Sequence, residues 1–212
     1  SMGIYEVTHI NGSVEHYNEK PGEYYLKSLQ KHFNKIVWLN PSDIEDWDYS
    51  QSIDYIRYLI ENKMYPLTIE GINKAVKFLQ DLIIVIDNLK KYNLMFVNID
   101  IDDIIVINES TFMFINYNNI YELQDDGSIS IENILTSSKF NNKNEFVQKS
   151  IPYLISIKTI YYNIGNLIFY SLFNKVYDNN KLSIYPIYYT KLYWFLERCL
   201  ENDINNRVFL FV

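Results

Sequence analysis

The regular spacing of apolar residues after Thr68 constrains the fold of this 212-residue chain more than any other feature. Six apolar side chains recur there at intervals of three or four residues: Ile72, Val76, Leu79, Ile83, Ile86 and Leu89. Such spacing places side chains on one face of an α-helix. Thr68 can cap the helix, since its hydroxyl can accept a hydrogen bond from an N–H group of the first turn. The pattern predicts a long helix from Thr68 to about Lys91.

The residues after this helix predict a β-ribbon and a loop. The runs Ile104 to Ile107 and Thr111 to Ile115 are rich in β-branched and aromatic residues, and Asn108 to Ser110 between them are turn-prone. The stretch from Gln124 to Lys149 is polar and has few periodic apolar residues. We therefore expect two paired strands followed by a mobile loop.

Two strongly apolar helices are predicted near the C-terminus. They extend from Tyr161 to Phe173 and from Thr190 to Glu201. We expect Trp194 and Leu196 to lie in the core of the second helix. The aromatic residues near this helix could form a stacking platform for bases, but core packing together with an interface patch is favoured because no positive charge accompanies them.

The first 67 residues predict a small α/β segment. Ile4 to Thr8 and Ser13 to Tyr17 are β-prone and flank Asn11 and Gly12, a pair that suits a tight turn, which predicts a hairpin. Lys35 to Leu39 reads as a buried strand, and Ser52 to Glu61 as a short helix.

Charge and cysteine content exclude several classes of function. The net charge is -7 and the isoelectric point about 5.0, which argues against a general affinity for nucleic acid or for anionic membranes. Cys199 is the only cysteine, so an intrachain disulfide or a multi-thiolate metal site is excluded. We expect a cytoplasmic protein whose partner is another protein.

No uninterrupted apolar stretch predicts a membrane span, which would need about 18 residues. The nearest candidate, residues 151–177, is interrupted by Lys158, Asn163 and Asn166, among others. The N-terminus also lacks the basic-then-apolar pattern of a signal peptide.

The order of elements and three motifs resemble the C-terminal lobe of protein kinases. Residues 96–106 (FVNIDIDDIIV) stand where kinases carry HRD-[LI]-K-x-x-N and an apolar strand. Residues 114–117 (FINY) stand at the DFG segment. Residues 199–207 (CLENDINNR) resemble the C-L-x-x-D-P-x-x-R end of the lobe, with Ile204 in place of proline. The resemblance covers about residues 68–212.

The matched positions lack the residues that kinase chemistry requires. Kinases use a carboxylate to accept the substrate proton, an Asn and an Asp to hold magnesium, and a Lys to balance phosphate charge. Asn98 replaces the first of these and Asp103 the second. Asn116 replaces the metal-binding Asp, and Asp100 replaces the Lys with reversed sign. With no Gly-rich phosphate loop and no V-A-I-K strand, the resemblance implies a pseudokinase without catalytic residues or cofactor.

Three residues are expected to be structural: Gly165, Trp194 and Arg207. In kinases the residue matched by Arg207 pairs with the Glu of the A-P-E segment, and Glu145 lies near that place here. Residues 161–165 (YYNIG) and 189–200 resemble a degenerate kinase-like family of large DNA viruses. A viral origin agrees with a composition rich in Asn, Ile, Tyr and Lys and with a single alanine, which is typical of AT-rich genomes. The corresponding location is the host cytoplasm.

The N-terminal residues show a different resemblance. Residues 37–41 (VWLNP), Trp47, residues 50–53 (SQSI) and residues 64–71 (MYPLTIEG) are similar to the closing part of CoxE-type von Willebrand factor A-like domains. Those domains bind a divalent metal through an early D-x-S-x-S motif, which does not occur in this chain. A metal-dependent binding fragment of this type is therefore an alternative function.

The remaining candidate is an acidic trio, Asp100, Asp102 and Asp103, which could coordinate Mg²⁺ or Ca²⁺. A solvated loop is favoured, since the spacing lacks the Gly and the distal Glu of a calcium loop. An atypical phosphotransferase that uses Asp100 or Asp102 as base is a further alternative. The leading prediction is an α+β protein: a small α/β segment over residues 1–67, then a mainly helical, kinase C-lobe-like interaction domain with a short β-ribbon over residues 68–212.

Overall fold

The computed structural model describes residues 5–8, 14–17, 53–54, 68–107, 111–114, 119–133, 135–143, 145 and 150–212. The chain divides into two compact units that alternate along the sequence. Unit 1 contains residues 1–64, 77–94 and 101–120, and unit 2 contains residues 65–76, 95–100 and 121–212. The boundary expected between residues 67 and 68 remains a prediction. The mixture of helices with small, mainly antiparallel sheets confirms the predicted α+β class.

Unit 1 contains a five-stranded sheet. Its strands follow one another in the order β2 (Val14–Tyr17), β1 (Tyr5–Thr8), β3 (Ile53–Asp54), β5 (Ile104–Ile107) and β6 (Thr111–Phe114). Its first two strands, β1 (Tyr5–Thr8) and β2 (Val14–Tyr17), pair antiparallel with Tyr5 opposite Tyr17, which confirms the predicted hairpin. Strand β3 (Ile53–Asp54) pairs antiparallel with β5. The prediction of a helix from Ser52 to Glu61 is wrong at Ile53 and Asp54, because sheet pairing with a distant strand decides the conformation there. The predicted strand Lys35 to Leu39 lies outside the described residues.

The predicted ribbon is present as β5 (Ile104–Ile107) and β6 (Thr111–Phe114). The two strands pair antiparallel, with Ile104 opposite Phe114 and Ile107 opposite Thr111. The buried side chains of Ile104, Val106, Phe112 and Phe114 supply the ribbon's contribution to the core.

The long helix, α1 (Ile69–Lys90), has its residues up to Val76 in unit 2 and the rest in unit 1. Thr68 Oγ1 accepts a hydrogen bond from the Gly71 N–H at 3.0 Å, so the predicted cap is confirmed. The helix buries a wider face than the predicted stripe. Ile72, Leu79, Ile86 and Leu89 are buried, Val76 and Ile83 are half-buried, and the additional buried apolar residues are Ala75, Phe78, Leu82 and Val85.

A buried carboxylate connects α1 to the ribbon within unit 1. Asp81 Oδ2 accepts a hydrogen bond from the Phe112 N–H at 2.9 Å, and Asp81 Oδ1 lies 2.5 Å from Lys77 Nζ. The rings of Phe78 and Phe112 stack beside this contact with centroids 4.9 Å apart. The polar contact and the ring stack together set the position of the helix against β6.

Two further two-stranded sheets are formed by β4 (Leu94–Phe96) with β7 (Ile120–Glu122), and by β8 (Ser128–Ile131) with β9 (Tyr153–Ser156). Strand β8 lies inside the stretch from Gln124 to Lys149 that was expected to be a mobile loop. That expectation is wrong for β8, since its short Ser-Ile alternation becomes a strand by antiparallel pairing with β9.

The centre of unit 2 is α2 (Ile157–Phe173), which starts four residues before the predicted Tyr161. Ser156 caps it by accepting a hydrogen bond from the Lys158 N–H, and Asn174 ends it in the left-handed conformation with φ 54°. Nearly the whole circumference of the helix is buried between Thr159 and Leu172. A helix that is apolar all round forms the interior of its unit.

Helix α3 (Lys191–Cys199) packs against α2 in unit 2, with Thr190 as its N-cap. Gly165 makes this close approach possible, because a Cβ at that position would lie 2.4 Å from Cys199 Sγ and 3.0 Å from Leu200 Cδ2. Leu196 is fully buried, as predicted.

The prediction that Trp194 belongs to the core is wrong, because 53% of the residue is exposed. The buried positions of α3 are Leu192, Phe195, Leu196 and Cys199, which share one helical face. Trp194 lies two residues after Leu192 and so points away from that face. Among the described helices, none combines the length and the apolar character that crossing a bilayer requires.

Candidate functional site

The site begins at Asn98, two residues after β4. Its backbone is left-handed, with φ 58°, a conformation that Asn adopts more readily than most residues. The turn directs the half-buried side chain toward residues 136–141, which belong to the same unit.

The amide of Asn98 is engaged at both ends. Its Nδ2 donates to the Thr136 carbonyl at 2.7 Å. Its Oδ1 accepts from the Ser138 N–H at 2.6 Å and from Asn141 Nδ2 at 2.7 Å. An amide can donate and accept in this way, whereas a carboxylate would oppose the Thr136 carbonyl with a second oxygen. The geometry therefore specifically suits Asn at this position.

Asp100 lies on the other side of Ser138. The Ser138 hydroxyl lies 3.2 Å from Asp100 Oδ2 and 3.0 Å from the Ile99 carbonyl, and either oxygen can accept its one proton. The same hydroxyl accepts a hydrogen bond from the Phe140 N–H at 3.2 Å. Ser138 thus ties residues 138–140 to the segment that carries Asn98 and Asp100.

A buried amide of α2 holds the segment from the opposite side. Asn163 Oδ1 accepts from the Ile99 N–H at 2.8 Å, and Asn163 Nδ2 donates to the Ile99 carbonyl at 2.9 Å. Both backbone groups of Ile99 are therefore satisfied by one side chain that is itself 0% exposed. We call Asn98, Asp100, Ser138, Asn141 and Asn163 the Asn98 network.

The hydrogen bonds of the Asn98 network join the segment after β4 to residues 136–141 and to α2. A neutral amide, such as that of Asn98, has no usable basicity. Asn141 is also buried, and its Oδ1 receives no hydrogen bond from the described residues, so one acceptor of the network is unsatisfied.

The other predicted positions are distributed differently. Asp102 is exposed and Asp103 half-buried in a 3-10 turn, Ile101–Asp103, of unit 1. Asn116 lies outside the described residues. Within the described ranges, no three His, Cys, Asp or Glu side chains come together as a possible metal-binding group. The acidic trio of the sequence is thus not a three-carboxylate cluster.

Arg207 forms the most highly connected buried group of unit 2. It is 1% exposed, and its two terminal nitrogens bind the two carboxylate oxygens of Glu145. Its Nε donates to the Glu201 carbonyl at 2.7 Å, and Nη1 to the Lys158 carbonyl at 3.2 Å. The guanidinium also lies 4.8 Å from the centre of the Tyr162 ring. The ion pair expected from the sequence is therefore present.

Sequence reasoning missed the polar partners of this site. Asn163 and Asn166 were noted only as interruptions of an apolar run, yet Asn166 Oδ1 accepts from the Tyr177 N–H at 2.8 Å and its Nδ2 donates to the Phe140 carbonyl at 3.3 Å. A buried amide needs partners. Two Asn residues in an otherwise apolar helix therefore indicated, from the sequence alone, that other parts of the backbone hydrogen-bond to this helix. Ser138 and Asn141 offered no such signal.

Comparison with known proteins gives matches to solved structures alone. No protein-family model matches the chain, and no curated protein is significantly similar to it. A rhoptry kinase from Toxoplasma gondii matches with a TM-score of 0.48 and 12% identity, over 65% of this chain and 42% of that chain. ROP2 from Toxoplasma gondii matches with a TM-score of 0.46 and 14% identity, over 63% of this chain and 39% of that chain.

ROP2 is described as a virulence factor with a protein-kinase fold and no enzymatic activity. The chain spans about two fifths of the length of these two structures. At this level of similarity, neither match assigns an activity or a partner to the chain.

Proposed function

We propose that residues 68–212 form a degenerate kinase C-lobe and that the chain is a non-catalytic, protein-binding pseudokinase, possessing the element order of the lobe without its chemistry. The observation that carries the proposal is the side chain of Asn98. The sequence resemblance matches Asn98 to the kinase base, and residues 136–141 hydrogen-bond both ends of its amide.

The charge pattern around Asn98 supports the same function. Kinases need positive charge beside the transferred phosphate. The sequence resemblance matches Asp100 to the kinase Lys, and Asp100 Oδ2 lies 3.2 Å from the Ser138 hydroxyl. A triphosphate bound as in kinases would therefore face a carboxylate instead of a lysine. The Arg207–Glu145 pair supports the fold assignment, since the resemblance calls for an ion pair between these two regions.

Magnesium-ATP provides the test. A ligand that binds the native state raises its stability, by about 2.7 kcal/mol at a hundred times its Kd. We expect no change in the melting temperature of the full chain when Mg-ATP or Mn-ATP is added, and no transfer of labelled phosphate to the chain or to a general protein substrate. A rise of several degrees with either nucleotide would overturn the proposal.

The Asp100→Asn variant tests the alternative that the chain is an atypical phosphotransferase with Asp100 as its base. If phosphate transfer is detected and disappears in this variant, Asp100 acts as a base and the chain is an atypical phosphotransferase. Transfer that survives Asp100→Asn would also overturn the non-catalytic proposal, but it would assign the chemistry to another residue.

A further inference from the structure

A group of aromatic side chains lies on the surface of unit 2, on the 3-10 turn Lys181–Ile187 and the residues that lead from it into α3. Tyr185, Tyr188, Tyr189 and Trp194 are each more than half exposed, at 56%, 58%, 65% and 53%. Tyr193 lies half-buried beside them. We call these five residues the aromatic patch. Single exposed aromatic residues need no explanation, but contiguous ones indicate an interaction surface.

The rings of the aromatic patch touch in a chain. Tyr185 and Tyr188 stack with centroids 5.3 Å apart and 23° between their planes. The other contacts are nearly perpendicular: 85° for Tyr185 with Tyr193, 89° for Tyr188 with Tyr189, and 78° for Tyr193 with Trp194. In each perpendicular pair the face of one ring adjoins the edge of the other, and the two rings together form a corner. The aromatic patch offers three such corners.

The charges around the aromatic patch exclude strongly charged ligands. Lys181 Nζ is held by Glu201 at 2.6 Å and by Glu197 at 3.5 Å, which neutralises it. Lys191 is exposed and makes no ion pair with any carboxylate of the described residues. Lys181 and Lys191 together balance Glu197 and Glu201, so these four side chains give a polyanion no net positive charge to bind. The surface is complementary to a neutral partner.

The polar edges of the aromatic patch are donors. The hydroxyls of Tyr185, Tyr188 and Tyr189 make no hydrogen bond within the part of the chain that the structure describes, and tyrosine and indole side chains both donate. A polyproline II segment has no internal hydrogen bonds, so its carbonyls accept from such donors. Its conformation is already extended, so ordering it costs little entropy, and aromatic-lined surfaces recognise it for this reason.

We propose that the aromatic patch binds a proline-rich protein segment in the polyproline II conformation, with pyrrolidine rings seated in the corners between perpendicular aromatic rings and carbonyls accepting from the tyrosine hydroxyls. This assignment rests on the proposed function, because it names the class of partner that the interaction protein takes.

Fluorescence anisotropy of a labelled poly-L-proline peptide, titrated with the full chain, tests the proposal, and a labelled Gly-Ser peptide of equal length is the control ligand. We expect saturable binding of the proline peptide alone. Tyr185→Ala and Trp194→Ala should each weaken it at least about tenfold, since exposed aromatic anchors dominate such interfaces. Leu154→Ala is the matched control, because Leu154 is 61% exposed on β9, outside the aromatic patch. The affinity of this variant for the proline peptide should stay within about twofold of that of the parent.

Several results would overturn the proposal: no preference for the proline peptide, equal binding by the Tyr185→Ala and Trp194→Ala variants, preferential binding of labelled oligothymidylate, or self-association in sedimentation that Trp194→Ala abolishes. Circular dichroism and melting temperature confirm that each variant is folded. The Mg-ATP assay tests the non-catalytic function, and its result does not depend on the result of the peptide titration. Proline binding together with phosphate transfer would overturn only the non-catalytic function, whereas loss of proline binding with no nucleotide effect would overturn only the assignment of the partner.

Discussion

Buried charges at the residue scale are stabilised here by two different means. The guanidinium of Arg207 donates to both carboxylate oxygens of Glu145 and to three backbone carbonyls, and it lies over the ring of Tyr162. Asp81 has a lysine and a single backbone N–H, and burial remains the largest influence on it, so the pKa of its carboxyl is raised above the ordinary 3.8. The first arrangement compensates the removal of charge from water, and the second does so only in part.

Replacing Arg207 by Ala should therefore be severely destabilising. The substitution leaves Glu145 without its partner and removes a donor from three backbone carbonyls. Loss of one partner of a buried pair costs about 3–5 kcal/mol. Urea denaturation measures the change. Arg198→Ala is the control, since Arg198 makes one long contact of 3.4 Å to the Leu210 carbonyl and its removal should cost less than about 0.5 kcal/mol. Equal effects of the two variants would contradict this account.

Asp81 predicts a pH dependence of stability. Because its pKa is raised in the folded state, the folded chain binds more protons than the unfolded chain once pH exceeds 3.8. Stability from this group is thus greatest below that value and falls as pH rises toward the folded pKa. Asp81→Asn keeps an acceptor for the Phe112 N–H but cannot ionise. The free energy of unfolding of the variant, relative to the parent, should rise with pH across this window, and parallel curves would refute the assignment.

At the scale of elements, α3 divides its side chains between two environments. Leu196 is fully buried, while Trp194, two residues earlier, belongs to the exposed aromatic patch. We expect Leu196→Ala to cost about 2–5 kcal/mol, the usual price of a core leucine. Trp194→Ala should change the free energy of unfolding by less than about 0.5 kcal/mol, although it removes the larger side chain. Thermal melts of the two variants side by side check the order, and a larger loss for Trp194→Ala would place the indole in the core.

At the scale of the whole molecule, the single cysteine reports the opening of unit 2. Cys199 is 0% exposed and packs against Gly165, and burial raises the pKa of its thiol. The thiolate is the reactive form, so a chromogenic disulfide reagent should label native protein only when the α2–α3 contact opens.

Leu196→Ala should raise the labelling rate at least about thirtyfold, which corresponds to 2 kcal/mol of lost stability at 1.4 kcal/mol per factor of ten. The labelling transition in urea should coincide with the loss of helical circular dichroism. Rapid labelling at full native signal would instead show that the surroundings of Cys199 open locally.

Much of the fold could be predicted because it depends on neighbours along the chain. The helix α1 follows from the spacing of its apolar residues and the Thr68 cap, the hairpin β1–β2 from Asn11 and Gly12, and the ribbon β5–β6 from two β-prone runs around a turn. In each case the hydrogen bonds join residues that are close in sequence.

Other features were decided by tertiary contacts. Strand β8 needs β9, about twenty-five residues away, before its Ser-Ile alternation becomes a strand. Asn163 acquires its role from the backbone of Ile99, and Asn98 from residues 136–141. Trp194 and Leu196 were both expected in the core, and only the packing of α3 against α2 determines which of them is buried. Local patterns specify which residues form helices and strands, because those hydrogen bonds are local. They leave open which polar groups meet and which apolar face is covered, because burial is settled between segments distant in sequence.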